Sequence, residues 1–358
     1  MKNIYLQILD KQNDPWPLAL ATVVRTKGST PQKPGSSALF GSSGLMAGTV
    51  GGGVLEGKVQ EIALKAGIQK ESSLFQFYLD KDISEKEEAI CGGQVTLLID
   101  ADTENSLPVF EEIRKSMDEN TPGVLVTLII RSEETIAMIT RHWMSGDKRP
   151  DLPQKYLEKI EPEINNMLLK ADRYDFRELE LSMPGEEPSP VCFLEPVYPL
   201  PELVIAGAGH IGKVLAHLGQ MLDFEVTVID DRTGFANRQN IPNADHIIAK
   251  DIGEAMQALK KTPDTYIVIV TRGHKDDANA LKPCIGSDAA YVGMIGSKNK
   301  IAIMHDEFIR NSWATQAQWD RILAPIGIDI KSKTVEEIAV SIAAQLVLVR
   351  NSKKSRNG

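Results

Sequence analysis

The sequence predicts an α/β protein in which a C-terminal parallel-sheet domain follows an N-terminal α+β domain. Three observations predict it. A proline-dense tract, Met183–Pro201, interrupts the chain past its midpoint. Beyond the tract, short apolar runs alternate with helix-compatible segments, which is the pattern of βαβ units and a parallel sheet. At the head of that series stands Gly207-Ala-Gly-His-Ile-Gly212, a G-x-G-x-x-G turn between an apolar strand and a helix. That arrangement marks a Rossmann-like domain.

Taken in order, Leu18–Arg25 reads as a strand that ends in Gly28-Ser-Thr-Pro-Gln-Lys-Pro-Gly35. Ala38–Phe40 and Leu45–Ala47 form a hairpin around Gly41-Ser-Ser-Gly44. Thr49-Val-Gly-Gly-Gly-Val-Leu-Glu56 leads into a helix that reaches about Ala66 and stops at Gly67. Cys91-Gly-Gly-Gln94 precedes a strand at Val95–Ile99. A helix at Pro108–Met117, strands at Val124–Ile130 and Thr135–Thr140, and a Lys/Glu-rich stretch at Pro153–Lys170 follow.

Proline fixes φ and lacks an N–H, so no helix crosses Met183–Pro201 and a central strand there is confined to Val191–Leu194. The boundary falls near Tyr198, giving domains 1–197 and 198–358. Strands then fall at Leu203–Ala206, Val226–Ile229, His246–Ala249, Tyr266–Val270 and Ala290–Ile295. A last helix runs from Thr334 to about Arg350, with Thr334 and Glu337 spaced as a capping box.

Composition excludes several classes. The 358 residues carry 40 Lys and Arg against 49 Asp and Glu, a net charge of −9, which lacks the electrostatic footprint of a nucleic-acid binder. Three cysteines, Cys91, Cys192 and Cys284, are too few for a disulfide framework and fit a reducing cytoplasm. The N-terminus breaks its apolar run at Asp10, Lys11 and Asp14, unlike a secretory signal. Uncharged apolar runs such as Val124–Ile130 fall far short of the roughly 20 residues that span a bilayer. No C-x-x-C or H-E-x-x-H spacing is present, so a structural zinc site is not expected.

The 27 glycines concentrate at two candidate sites. In the second domain, Gly207 permits the tight turn, Gly209 the close approach of a pyrophosphate, and Gly212 close helix–strand packing. His210 opens the helix, whose N-terminus favours phosphate. Asp230 follows Gly207 by 23 residues, the spacing of an acid that holds a ribose hydroxyl. Alternatively, the glycines serve only the turn. Arg232 either accommodates a 2′-phosphate or pairs with Asp231. Later strand ends carry His274 and Asp277, placed for binding or proton transfer, although an Asp there also caps a helix. Ser297 and Lys298 open a helix at a second anion site.

In the first domain, Gly51, Gly52 and Gly53 cost more conformational entropy than a simple turn requires, and such a run before a helix exposes an anion nest. Gly28, Ser29 and Lys33 lie on the preceding loop, and Glu56 in the helix's first turn is favoured there by the dipole alone. Cys91, followed by two glycines, reads either as an open thiol and possible metal ligand or as a small buried residue before a strand. Cys192 and Cys284 read as packing residues.

These motifs together resemble the xanthine dehydrogenase accessory protein family of the XdhC/CoxI type. The resemblance rests on Gly28-Ser-Thr-Pro-x-x-x-Gly35, Gly48-Thr-Val-Gly-Gly-Gly-x-x-Glu56 and Cys91-Gly-Gly. It extends to Gly207-Ala-Gly-His-Ile-Gly, Asp230-Asp-Arg, Thr271-Arg-Gly-His-x-x-Asp277, Tyr291-Val-Gly-Met-Ile-Gly-Ser297 and Pro325-Ile-Gly-x-Asp-Ile. The chain departs from the pattern at Val54, where many relatives carry Cys or His. The resemblance implies a chaperone that binds the molybdenum cofactor, as molybdopterin or its dinucleotide form. Such a protein protects the cofactor and delivers it to a molybdenum hydroxylase such as xanthine dehydrogenase. It further implies a cysteine desulfurase as a second partner, a homodimer, and Cys91 as a possible molybdenum ligand. The competing expectation from the residues is an NAD(P)-dependent oxidoreductase with His274 as acid/base. A third is an assembly factor with an empty Rossmann fold.

Overall fold

The computed structural model describes residues 3–11, 17–79, 93–132, 135–146, 149–181 and 190–352. Contacts divide the chain into two compact units, Lys2–Pro199 and Leu200–Gly358.

The first unit runs α1 (Ile4–Lys11), β1 (Ala19–Lys27), β2 (Ser37–Gly41), β3 (Gly44–Gly48), α2 (Gly53–Gln69), β4 (Ser73–Tyr78) and β5 (Gln94–Asp100). It continues with α3 (Leu107–Asp118), β6 (Gly123–Ser132), β7 (Thr135–Ser145), α4 (Gln154–Lys170), β8 (Arg177–Glu180) and β9 (Val191–Val197). Two antiparallel sheets result, ordered β3-β2-β1-β5-β4 and β7-β6-β9-β8. The alternation of a strand decides each layer. Ala19, Ala21 and Val23 of β1 face α2 through Leu55 and Val59, whereas Leu20 faces α1 and α3. Val24, Leu98, Ile129 and Phe193 fill the seam between the two sheets, and α4 covers β6 and β9. Below that seam Arg141 donates to both Asp100 and Ser106 Oγ, a fully buried ion pair.

Two expectations change here. Helix α2 does not stop at Gly67, because that glycine lies within the helix against the Pro17 carbonyl and Lys70, at φ 55°, supplies the left-handed cap. Strand β9 runs through Pro196 to Val197 rather than ending at Leu194. It can do so because β8 pairs only as far as Leu194, leaving β6 as the one neighbour of Pro196 among the described strands.

The second unit runs β10 (Glu202–Ala206), α5 (His210–Met221), β11 (Glu225–Asp230), β12 (His246–Ala249), α6 (Ile252–Ala258) and β13 (Thr265–Ile269). It closes with α7 (His274–Leu281), β14 (Tyr291–Met294), α8 (Lys298–Arg310), α9 (Gln316–Trp319) and α10 (Val335–Ser352). Its five strands form one parallel sheet in the order β12-β11-β10-β13-β14. Leu203 and Ile205 point to the face covered by α5 and α10, while Val204 and Ala206 point to the face covered by α6, α7 and α8. The chain is therefore the expected α/β protein, a Rossmann-like parallel-sheet unit preceded by an antiparallel α+β unit. Thr334 and Glu337 make the predicted reciprocal cap, with Thr334 Oγ1 accepting from the Glu337 N–H and Glu337 accepting from that of Thr334. Among the described residues no helix is long and apolar enough to cross a membrane.

Candidate functional site

The second unit places four loops at the carboxyl edge of its parallel sheet. They follow β10 (Gly207–Gly209), β11 (Asp231–Arg232), β13 (Val270–Gly273) and β14 (Ile295–Ser297). Strand order reverses between β10 and β13, the switch point at which open α/β sheets hold ligands. The three glycines of the first loop have different reasons to be glycine. Gly207 has φ 117°, and a Cβ there would stand 2.5 Å from the Val270 carbonyl oxygen. A Cβ on Gly212 would meet the Gly207 carbonyl oxygen. Gly209 has an ordinary φ of −74° and nothing within 4 Å of a Cβ. The fold thus requires the outer two, and the middle one keeps open space at the start of α5, beside exposed His210. Gly273, at the start of α7, is likewise open.

Asp230 ends β11 where the spacing placed it, but its carboxylate is already occupied. Oδ2 accepts from the Ala208 N–H at 2.8 Å and from Arg232 Nη2 at 2.8 Å. Oδ1 accepts from the Arg232 N–H at 3.0 Å and from Arg232 Nε at 2.8 Å. Burial alone would raise its pKa, but these bonds, with the Arg232 guanidinium first among them, bring it down to about 2. Arg232 therefore pairs chiefly with Asp230; Asp231 lies 3.9 Å away.

The β13 and β14 loops use their polar groups largely among themselves. Asp277 is completely buried, accepts from Thr271 Oγ1 and pairs with Lys300. Burial keeps its pKa raised although Lys300 and Thr271 pull the other way. It serves as an internal brace rather than a helix cap. Ser297 caps α8 by accepting from the Lys300 N–H. His274, half-exposed at the start of α7, sits 2.7 Å from Glu307 in the last turns of α8, a histidine–carboxylate pair. Lys300 and Glu307 carry no signal in the sequence, because they lie inside α8, beyond the Tyr291–Ser297 motif that leads into it.

In the first unit, three separate motifs meet. Lys27 pairs with Gln94 at the end of the β1–β5 ladder, which brings the Gly28–Pro31 loop beside Gly93. A Cβ on Gly93 would stand 2.2 Å from the Ser29 carbonyl oxygen, and one on Gly51 would stand 2.6 Å from Pro31 Cγ. Gly51, Gly52 and Gly53 have φ of 139°, 69° and 55°, so each occupies backbone that favours glycine. Above Gly52 and Gly53 there is open space. Glu56 closes the loop on itself, accepting from Thr49 Oγ1 at 2.7 Å and from the Val50 N–H at 3.2 Å. Thr49, which sequence reasoning gives no role, is thus part of the loop's frame.

Cys91 lies outside the described residues, two positions before Gly93. Cys192 and Cys284 are buried, and burial pushes both thiols up to about 12, so neither supplies a thiolate. Among the described residues no three His, Cys, Asp or Glu side chains gather to hold a metal ion. A groove of about 660 Å³ opens at the far end of α2, lined by Lys65, Lys70, Asp102, Ile136 and Met138 among others. None of the sequence motifs reaches it.

The fold and its loops define a Rossmann-type domain appended to a glycine-loop α+β domain. Residues 203–346 match the XdhC Rossmann domain and residues 13–77 match the XdhC and CoxI family. The chain belongs to the XdhC family. It is 25% identical over 334 residues to a Bacillus subtilis protein described as a probable xanthine dehydrogenase subunit, covering 92% of both chains. It is 22% identical over 351 residues to the uncharacterized protein YqeB of Escherichia coli, covering 98% of this chain but 47% of that one. A crystal structure of a xanthine dehydrogenase from Bacillus halodurans shares the fold, with a TM-score of 0.76 at 21% identity over 99% of this chain and 97% of that chain.

Proposed function

We propose that this protein is an accessory factor of a xanthine dehydrogenase-type molybdenum hydroxylase, and that it binds the molybdenum cofactor, shields it and hands it over. Family membership and the name of the Bacillus subtilis relative support the accessory role. The observation that carries the cofactor reading is the close packing of Gly51 and Gly93 on the Gly28–Pro31 loop beside Gly52 and Gly53, which face open space. Gly52 and Gly53, at left-handed φ where α2 begins, offer backbone N–H groups to an anion, and the cofactor supplies a phosphate; the Gly51 N–H is taken by Thr49 Oγ1 at 3.2 Å. A net charge of −9 does not oppose this, because the donors are backbone groups.

In this reading Gly52 and Gly53 approach the ligand closely, Glu56 and Thr49 hold the loop, and Cys91 is the thiol available to the metal. Separately, the open cradle at Gly209 of the second unit suits the phosphates of a nucleotide. When bound, the cofactor supplies the redox chemistry of the client enzyme; the chain's own part is to bind and exclude solvent. A cysteine desulfurase is the second partner, and a homodimer in the cytoplasm is the working unit.

The test is protein purified without oxygen from a host that makes the cofactor, followed by ultraviolet–visible spectra and metal analysis. Molybdenum and a pterin chromophore should accompany the native chain and be lost in Cys91→Ser. If neither accompanies the protein nor binds when supplied, the reading fails. The His274–Glu307 pair favours a second reading, an NAD(P)-dependent oxidoreductase. That reading leaves the N-terminal loops without a role and finds Asp230 already occupied, and titration with NADH and NADPH tests it.

A further inference from the structure

The carboxylate at the end of β11 is the group that a G-x-G-x-x-G domain ordinarily offers to a ribose diol. In this chain it has nothing left to offer. A carboxylate has about four acceptor sites, and Asp230 receives four donors, from Ala208 and three atoms of Arg232. Its side chain is 2% exposed. A 2′-hydroxyl would have to displace Arg232 to reach it.

Arg232 is what the mouth presents in its place. Its guanidinium is held edge-on by Asp230, and its centre lies 3.9 Å from the centroid of the Phe235 ring. The side chain remains 29% exposed. Asn240 ties this segment to the glycine turn, donating to the Ala208 carbonyl at 3.1 Å and to the Phe235 carbonyl at 2.9 Å. A guanidinium fixed flat by a carboxylate and backed by an aromatic ring is a stacking platform for a planar heteroaromatic ring. The open space at Gly209 and Gly273 lies along the same sheet edge.

We infer that Arg232 is the specificity-determining residue of this mouth. It takes the base of a nucleoside diphosphate by stacking, while Asp230 acts as a positioning residue that keeps the guanidinium flat. The site therefore does not read the ribose 2′-hydroxyl. The inference rests on the proposed function only in treating the mouth as a ligand site.

The test is calorimetry on the full chain with ADP, GDP and CDP and with their 2′-deoxy forms. At least one pair should bind, with ribo and deoxy affinities within about twofold, because no hydrogen bond to the 2′-hydroxyl is lost. Arg232→Lys keeps the charge but removes the plane and should weaken both forms by about tenfold or more. Phe235→Leu, at an exposed position, removes the backing ring and should weaken both forms even if Arg232→Lys fails to fold. Overturning results are a preference of about tenfold or more for the ribo form, as a built hydroxyl site gives, full-strength binding by the folded variants, or no binding by any of the six nucleotides. Molybdenum and pterin content of the same preparation is read separately. A pterin-loaded protein that binds no nucleotide overturns this inference and leaves the proposed function standing.

Discussion

Gly212 packs so tightly on Gly207 that a Cβ on Gly212 would lie 1.9 Å from the Gly207 carbonyl oxygen. The neighbour is backbone of the turn itself, which has little room to yield. Gly212→Ala should therefore destabilise the second unit by about 1–3 kcal/mol or more. Gly209→Ala meets nothing within 4 Å and should stay within about 1 kcal/mol of the native stability. It should nevertheless weaken nucleotide binding, since its methyl group occupies the open cradle. Urea unfolding of the two variants, beside calorimetry, separates the roles; equal stability of both would contradict the packing argument.

Arg141 and Asp100 form a buried ion pair in the first unit, with side chains 3% and 1% exposed. Removing the cation leaves a buried carboxylate without its counter-charge. Arg141→Ala should cost about 3–5 kcal/mol, read as a lower midpoint in urea. A loss under about 1 kcal/mol, the range of a surface pair, would show that water reaches Asp100.

Glu195 of β9 accepts a hydrogen bond from the Tyr5 hydroxyl at 2.6 Å. Burial raises its pKa to about 7 despite the opposing Tyr5 hydrogen bond and the charge of Arg141. In the unfolded chain a glutamate ionises near 4.3. The folded state thus holds the extra proton between these values, so this group's contribution is fully present below about 4.3 and is lost as pH rises through about 7. The loss amounts to at most ~4 kcal/mol. Glu195→Gln should flatten this part of the stability–pH curve, measured by urea unfolding from pH 4 to 8. A variant curve parallel to the native one would rule the account out.

Much of the fold is legible because local chemistry and tertiary packing agree. Leu203–Ala206 is apolar on both faces because helices cover both faces of a parallel sheet, and Thr334 with Glu337 makes the cap that its spacing promises. The end of α2 is not legible at Gly67, since that glycine answers a neighbour, Pro17, that periodicity cannot see. Strand β8, Arg177–Glu180, is too short and polar to signal itself and exists through its pairing with β9. At the candidate site the position of Asp230 is readable, but its occupation by Arg232 depends on side-chain geometry. Likewise the pairing of Lys27 with Gln94, which joins the glycine loops, is a long-range register that no local motif records.

Glu56 holds the Gly51–Gly53 loop through Thr49 and Val50. Glu56→Ala should lower cofactor retention by about tenfold while unfolding stability drops by only about 1–2 kcal/mol. Glu56→Gln keeps one carbonyl acceptor and should restore part of the retention. Equal retention in all three proteins would remove the loop from the site.

The central claim is that this chain carries the molybdenum cofactor. Its most direct test is mass spectrometry of whatever small molecule is released from protein purified anaerobically from a cofactor-producing host. The account predicts a molybdopterin species or its dinucleotide form, in amounts that fall with Cys91→Ser and Glu56→Ala. Release of a nicotinamide dinucleotide instead, or of nothing even after incubation with free cofactor, would contradict it.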